Sequence, residues 1–425
     1  MKVVSIVLDR NSASHIPSLG KLDDAIVVVS PGAEINSLFE SILDRQIRLK
    51  QDASSEAAAA EKYLTDICGE PSFVAGAHEV IGRLLRYLME SMPFRFSDNS
   101  LRDYILAEAS MLSASLVATV LGTPDCIDGR NLMICDDSES FIIDWDEATE
   151  TIRKAGLKGR SVVSGGYGRT RSGYSVSLGK GGYELTATSL ASILGCSAVV
   201  FYTGSDGIQG IPRLSYDEAA HMLSGDDSPI FPPAMWPAIK ANIPIEVKNI
   251  AAPGAPGTLV SSELAQGAEG ITGIVCDSSL SLITVYGSGL LGSIGMSSNL
   301  FTALAAAGIN IRFISQSSAE YSISFAVKES DSEKAVDAIK AMISKRQMLS
   351  FKDILVVGKE VCIVSVCGGR MRNVPGISGK VYTALGNAGI SIIAASQGGE
   401  ELSISIVVDA SQKDAAVAAL KPLIN

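Results

Sequence analysis

Two stretches near the C-terminal end, residues 282–327 (LITVYGSGLLGSIGMSSNLFTALAAAGINIRFISQSSAEYSISFAV) and 363–408 (IVSVCGGRMRNVPGISGKVYTALGNAGISIIAASQGGEELSISIVV), align without a gap. Gly295 matches Gly376, Leu304 matches Leu385, Gly308 matches Gly389, Gln316 matches Gln397 and Ile323 matches Ile404, each pair 81 residues apart. Every copy reads strand, glycine loop, helix, strand, strand, helix, with DSEKAVDAIKAMI and QKDAAVAALKPLI as the amphipathic second helices. A period this long, present twice, predicts two small α/β modules packed on each other rather than a solenoid. The chain stops after the last helix of the second copy, so the run Gly270 to Asp277 ahead of the first copy is expected to supply a strand by interleaving.

Upstream the pattern is different. MKVVSIVL (Met1 to Leu8) and AIVVVS (Ala25 to Ser30) are β-branched runs of buried-strand type, whereas Ile35, Leu38, Phe39, Ile42 and Leu43 fall at helical spacing. A second helix is expected over Leu101 to Leu121, and RSVVSGGYG and SAVVFYTGSDG read as further strand ends. Strand alternating with helix predicts a mainly parallel sheet covered on both faces. The Pro-, Gly- and Ala-rich run after Asn249 marks a boundary.

Composition narrows the partners. A net charge of −11 gives no general pull toward nucleic acid or anionic lipid. Seven scattered cysteines and three histidines without close pairing read as buried thiols and give no zinc-type site, so no metal ligands are assigned. No unbroken apolar run reaches the roughly 18 residues of a membrane span. A cytoplasmic protein without membrane or nucleic-acid partners is therefore expected. The cysteines, Trp145 and Trp236 are read as packing, His221 as a helix-surface residue, and Lys248 and Asn249 as structural.

With these residues in hand a family likeness is visible. The repeat resembles paired ACT domains, and ISQSSAEYSISFAV is very close to the first ACT domain of aspartokinases. LSYDEAAHM, IPIEVKNIAAPGAPGTLV and SVVSGGYG followed by SLGKGGYELTATSLASILG look like landmarks of the aspartokinase catalytic domain, in that family's order. The likeness is strongest to the aspartokinase half of bifunctional aspartokinase/homoserine dehydrogenases. It implies an α/β fold: a three-layer amino-acid-kinase (carbamate-kinase-like) domain over 1–262, then two ferredoxin-like ACT domains over 268–350 and 351–425. It also implies ATP and Mg2+ as cofactors if the chain is active, with the γ-phosphoryl group passing to the side-chain carboxylate of aspartate.

Such chemistry needs cations and N–H donors around the phosphates. Several landmarks depart from the family. After the first strand the family has Lys-Phe-Gly-Gly-Thr-Ser, but DRNSASH stands here, with Arg10 as the one cation before His15. The family's Leu-Gly-Arg-Gly-Gly-Ser-Asp becomes LGKGGYE, so that Lys180, Tyr183 and Glu184 replace arginine, serine and aspartate. Lys180, Glu184 and Arg10 are the catalytic candidates. Glu108, which follows Ala107 where the family has glycine, and Gly181 and Gly182 are the substrate candidates. Tyr202, Thr203, Asp206 and Gly207 remain of a shortened nucleotide segment, and DDSPIFPP lacks the family's lysine and histidine. Taken alone, the glycine loop also suits a plain tight turn before a helix.

In the repeat, the likeness implies an amino-acid effector, threonine or lysine, held by Ser288, Leu291, Gly292, Ile294, Gly295, Asn310, Gln316, Ser317 and Glu320. Asn373, Val374, Pro375 and Gly376 would be the second-copy equivalents. The same residues would also serve simply to pack ACT sheets into a homodimer. The expectation is a regulatory, amino-acid-binding homologue with an eroded kinase site, partnering an active aspartokinase. The alternatives are an active aspartate kinase that rebuilt its phosphate site from Arg10 and Lys180, or a kinase shifted to another carboxylate.

Overall fold

Buried β-branched strands organise the first part of the chain. Lys2–Leu8 and Ala25–Pro31 are almost continuously buried, as strands are when both faces of a sheet are covered. They pair in parallel from Lys2↔Ala25 to Leu8↔Pro31 at the middle of an eight-stranded sheet. Across that sheet the order is Cys126–Ile127, Val162–Ser164, Ala25–Pro31, Lys2–Leu8, Val199–Thr203, Ile245–Asn249, Thr258–Ser261 and Arg213–Ser215. All neighbours run parallel except Ile245–Asn249 against Thr258–Ser261. The computed structural model describes residues 1–19, 22, 24–68, 71–91, 98–123, 126–137, 142–225, 228–263, 270–286, 295–317, 322–345 and 355–424.

Period-two alternation sends Val4, Ile6, Leu8, Val27 and Val29 to one face, where they form a core with Ile35, Phe39 and Ile42 of helix Ala33–Leu43 and with helix Asp98–Val120. Helix Gly182–Leu194 packs on the same central strands, but Ala187, Leu190 and Ala191 are buried outside that core. It therefore covers the opposite face. Helix Asp98–Val120 is apolar around most of its circumference, burying Leu101, Ile105, Leu106, Ala109, Leu112, Leu116 and Val117. Residues Asn99–Val120 would pass for a membrane span by length and composition, but two-thirds of the apolar window is buried in this core, which accounts for the all-round apolarity.

Compact packing groups Met1–Ala219 with Pro229–Ala265, and Ala220–Ser228 with Gln266–Asn425. The short run Ala220–Ser228 belongs to the second group because Ser224 O accepts from Arg312 Nη2 at 2.9 Å and Gly225 lies so near Val275 and Cys276 that a Cβ would clash. Nothing in its sequence signals this.

The second unit is a six-stranded antiparallel sheet whose strand order runs Phe313–Gln316, Ser322–Lys328, Gly273–Tyr286, Leu355–Cys367, Ser403–Asp409, Ala394–Gln397. The repeat is reproduced down to the register. Ile283 faces Phe325, and Val364 faces Ile406. One step along, the Thr284 and Ser324 hydroxyls meet at 2.9 Å, and those of Ser365 and Ser405 at 2.8 Å. Helices Met296–Ala306 and Ile377–Asn387 both start after a left-handed glycine, Gly295 and Gly376.

The long strand Gly273–Tyr286 serves both copies. Leu280–Tyr286 pairs with Ser322–Lys328, while Gly273–Asp277 pairs with Ile363–Cys367. Between them lies a bulge in which Ser279 has φ 54°, and a bulge lets one strand re-aim midway. Ile271 and Ile274 thus enter the second copy's core beside Val364, Leu385, Ile406 and Leu420.

Candidate functional site

In the glycine loop, strand Ser175–Ser177 runs into helix Gly182–Leu194. Gly181 has φ 75°, and a Cβ there would stand 2.6 Å from the Phe231 ring, so only glycine lets the chain pass. The Lys180 ammonium lies 5.1 Å from the centre of that ring. Glu184, three residues into the turn, is 3% exposed, and its Oε2 has no hydrogen-bond partner. Burial raises its pKa; its own backbone N–H, the Tyr183 side chain, the Phe231 N–H and Lys180 pull the other way without cancelling the rise. Burial, with Glu184 beside it, also raises the Tyr183 phenol. The helix start thus holds a carboxyl group of its own chain.

This has a measurable consequence. A folded pKa above the unfolded one means that stability is fully present below the unfolded value, near 4.5, and is lost as pH rises through the folded value. Glu184→Gln removes that loss. Thermal unfolding should show the variant gaining on the parent at pH 7 and converging with it at pH 4; parallel pH profiles would refute the assignment.

The turn after the first strand is also occupied. Asp9 caps helix Arg10–His15: its Oδ1 accepts from Ser12 N at 2.7 Å, and Ser12 Oγ accepts from Asp9 N at 2.8 Å. This reciprocal box uses the N–H groups that a glycine turn would offer to a phosphate. Arg10 turns toward Glu34, at 3.9 Å, and over the Tyr63 ring, at 4.7 Å. Among the described residues no hydrogen bond or ion pair joins Arg10 to Lys180.

Glu108 sits on helix Asp98–Val120 in a cluster that the sequence did not disclose. Arg130 Nη2 donates to Glu108 Oε1 at 2.8 Å and to Asp128 Oδ2 at 2.6 Å, and Arg130 Nη1 donates to Ser175 Oγ at 3.2 Å. The three charged side chains are only 14–21% exposed. Burial pulls the Arg130 pKa down, but Asp128 and Glu108 more than offset it. The one sequence signal for this arrangement is Asp128-Gly129-Arg130 directly after strand Cys126–Ile127; Asp128 caps the short helix Gly129–Asn131.

The nucleotide candidates close on themselves. Tyr202 and Thr203 end strand Val199–Thr203, and Tyr202 is 8% exposed. Thr203 Oγ1 lies 3.1 Å from Ser205 Oγ, and Asn249 Nδ2 donates to Asp206 Oδ1 at 2.8 Å. At Gly207, φ 75°, a Cβ would stand 2.4 Å from Thr258 Oγ1. Asp206 and Gly207 thus join the loop to the neighbouring strands. Among the described residues no group of three or more His, Cys, Asp or Glu side chains could hold a metal ion.

Of the effector candidates, Ser288, Leu291, Gly292, Ile294 and Glu320 lie outside the described residues. Gly295 is the N-cap of Met296–Ala306 and makes no side-chain cap bond. Asn310, Gln316 and Ser317 are exposed. In the second copy Ser378 Oγ donates to Gln397 Oε1 at 3.2 Å, which brings the helix start to the strand end. There Asn373, φ 59°, donates its N–H to Glu401 at 2.7 Å, Val374 N donates to Met371 O, and Gly376 caps the helix after Pro375. All seven cysteines are free thiols, four of them buried. The tryptophans do not pack as expected: Trp145 is 43% exposed and Trp236 62%.

Comparison with known proteins fits this architecture. Residues 10–249 match the amino acid kinase family, and residues 283–342 and 364–422 match the ACT domain. A bifunctional aspartokinase/homoserine dehydrogenase of Haemophilus influenzae is 32% identical over 290 residues, covering 65% of this chain and 36% of that protein. The chloroplastic bifunctional aspartokinase/homoserine dehydrogenase 1 of Arabidopsis thaliana is 26% identical over 424 residues, covering 90% of this chain and 46% of that one. The chain thus spans between a third and a half of these relatives' length. Escherichia coli aspartokinase III in complex with aspartate and ADP shares the fold with a TM-score of 0.78 at 19% identity, each chain covering all of the other.

Proposed function

Because the chain belongs to the amino acid kinase family, we propose that it is an aspartokinase-type homologue of aspartate-derived amino-acid metabolism that binds an amino acid at its ACT modules and transfers no phosphoryl group. One observation carries this reading: the turn after the first strand, where the family has its Lys-Phe-Gly-Gly loop, is closed by the chain's own capping box of Asp9 and Ser12. A phosphate there would meet the Asp9 carboxyl group and find two N–H donors already bonded. The capped turn does not fit MgATP.

The ACT helix starts after Gly295 and Gly376 make no side-chain cap bond among the described residues, which suits an amino-acid carboxylate. Threonine or lysine is the proposed effector, a homodimer through the ACT sheets the proposed assembly, and an active aspartokinase the proposed partner. The competing reading, an active aspartate kinase, draws on Lys180 and on Glu108, which keeps its place on the buried helix.

An aspartyl-phosphate assay with MgATP and aspartate, run beside calorimetric titrations of ATP, threonine and lysine, separates the two. No turnover and no ATP binding are expected, with saturable binding of one amino acid. Turnover at ordinary aspartokinase rates would end the regulatory reading.

A further inference from the structure

A cavity of about 420 Å³ lies in the first unit, in front of Arg130. Its wall is made by the hairpin of strands Tyr167–Thr170 and Ser175–Ser177, the start of helix Asp98–Val120, and the turn after Cys126–Ile127. Glu108 stands on the far side of Arg130 and does not line the space.

The lining has three properties that together select a ligand. Its charged members are Arg169, Arg130 and Asp128, a net single positive charge. Arg130 is already engaged by Asp128 and Glu108, whereas the exposed guanidinium of Arg169 has no side-chain partner among the described residues. The Tyr104 and Tyr174 hydroxyls and the Asn131 amide, each able to donate and to accept, make no side-chain hydrogen bond among the described residues. Finally, the apolar surface is aromatic. The Tyr104 ring is already flanked by the Arg130 guanidinium at 5.9 Å and by the Tyr87 ring at 4.6 Å, whereas Tyr174, at the hairpin tip, is 57% exposed. One unpaired cation favours an anion, whose remaining oxygens the hydroxyls and the amide can donate to, and an exposed tyrosine ring favours a flat apolar body.

We propose that this cavity binds a flat organic monoanion, an aromatic carboxylate whose carboxyl group pairs with Arg169 and whose ring lies against Tyr174. The site is separate from the glycine loop and from the ACT modules, and it stands whether or not the chain transfers phosphate.

Calorimetric titration with phenylpyruvate tests it, with pyruvate as the ringless control. Phenylpyruvate should bind saturably, and pyruvate at least about tenfold more weakly. Arg169→Ala should weaken phenylpyruvate about tenfold or more, and Tyr174→Ala should weaken it while leaving pyruvate unchanged. Both side chains are exposed, so both variants should unfold at the parent temperature. Absence of saturable heat up to about 10 mM phenylpyruvate, equal binding by parent and Arg169→Ala, or pyruvate binding as tightly as phenylpyruvate would each overturn the proposal.

Discussion

Replacing Arg130 by alanine should cost the first unit about 3–5 kcal/mol, the range for removing one partner of a buried ion cluster. The loss exceeds a surface ion pair's because Glu108 and Asp128, 17% and 21% exposed, are left with uncompensated charge. Ser175 Oγ also loses its donor. Arg130→Lys should recover part of this, since a point charge cannot reach both carboxylates and the hydroxyl in the plane of one fork. Guanidinium unfolding of the two variants checks the order. A loss below about 1 kcal/mol for Arg130→Ala would mean that the cluster is open to water and is no anchor for Glu108.

Phe325→Ala should be comparably costly, about 3–5 kcal/mol, and Ile406→Ala should fall lower, within about 2–5 kcal/mol. The two residues occupy the same position of the repeat, each fully buried and each facing the central strand of its own copy. The comparison holds register and burial constant while changing the side chain. Phe325 packs with Ile283, Leu300, Leu304 and Ile339, and Ile406 with Val364, Val381, Leu385 and Leu420. Chemical denaturation of the paired variants reads the difference. If Ile406→Ala were the more damaging, the second copy would be the one on which the shared sheet depends.

The elements were legible where local pattern and final environment agree. The run AIVVVS becomes strand Ala25–Pro31 because β-branched residues in succession suit a sheet buried on both faces. The spacing of Ile35, Phe39, Ile42 and Leu43 becomes the buried side of helix Ala33–Leu43. The gapless repeat carries further still, because an unbroken offset preserves strand register, as the paired hydroxyls of Thr284 with Ser324 and Ser365 with Ser405 show.

The site was less legible. Likeness of motifs set DRNSASH against the family's glycine loop but did not give its structure, although Asp9 and Ser12 stand at capping-box spacing. Lys180 and Glu184 could be named from the loop, but the burial of Glu184 depends on Phe231, far along the chain. For Arg130 the sequence offers only the neighbouring Asp128, since its other partners Glu108 and Ser175 lie 22 and 45 residues away. Trp145 and Trp236 read from sequence as packing residues, and the structure leaves them exposed.

By itself, then, the sequence determined the two-part plan, the mainly parallel sheet and the doubled ACT module. These follow from periodicity, glycine placement and residue identity, which are local properties of the chain. Tertiary structure alone decided that Glu184 is buried at its helix start, that Glu108 is held by Arg130, and that one bulged strand serves both ACT copies. Those outcomes depend on burial and on meetings between residues distant in sequence, where desolvation and hydrogen-bond geometry, rather than propensity, set the energy.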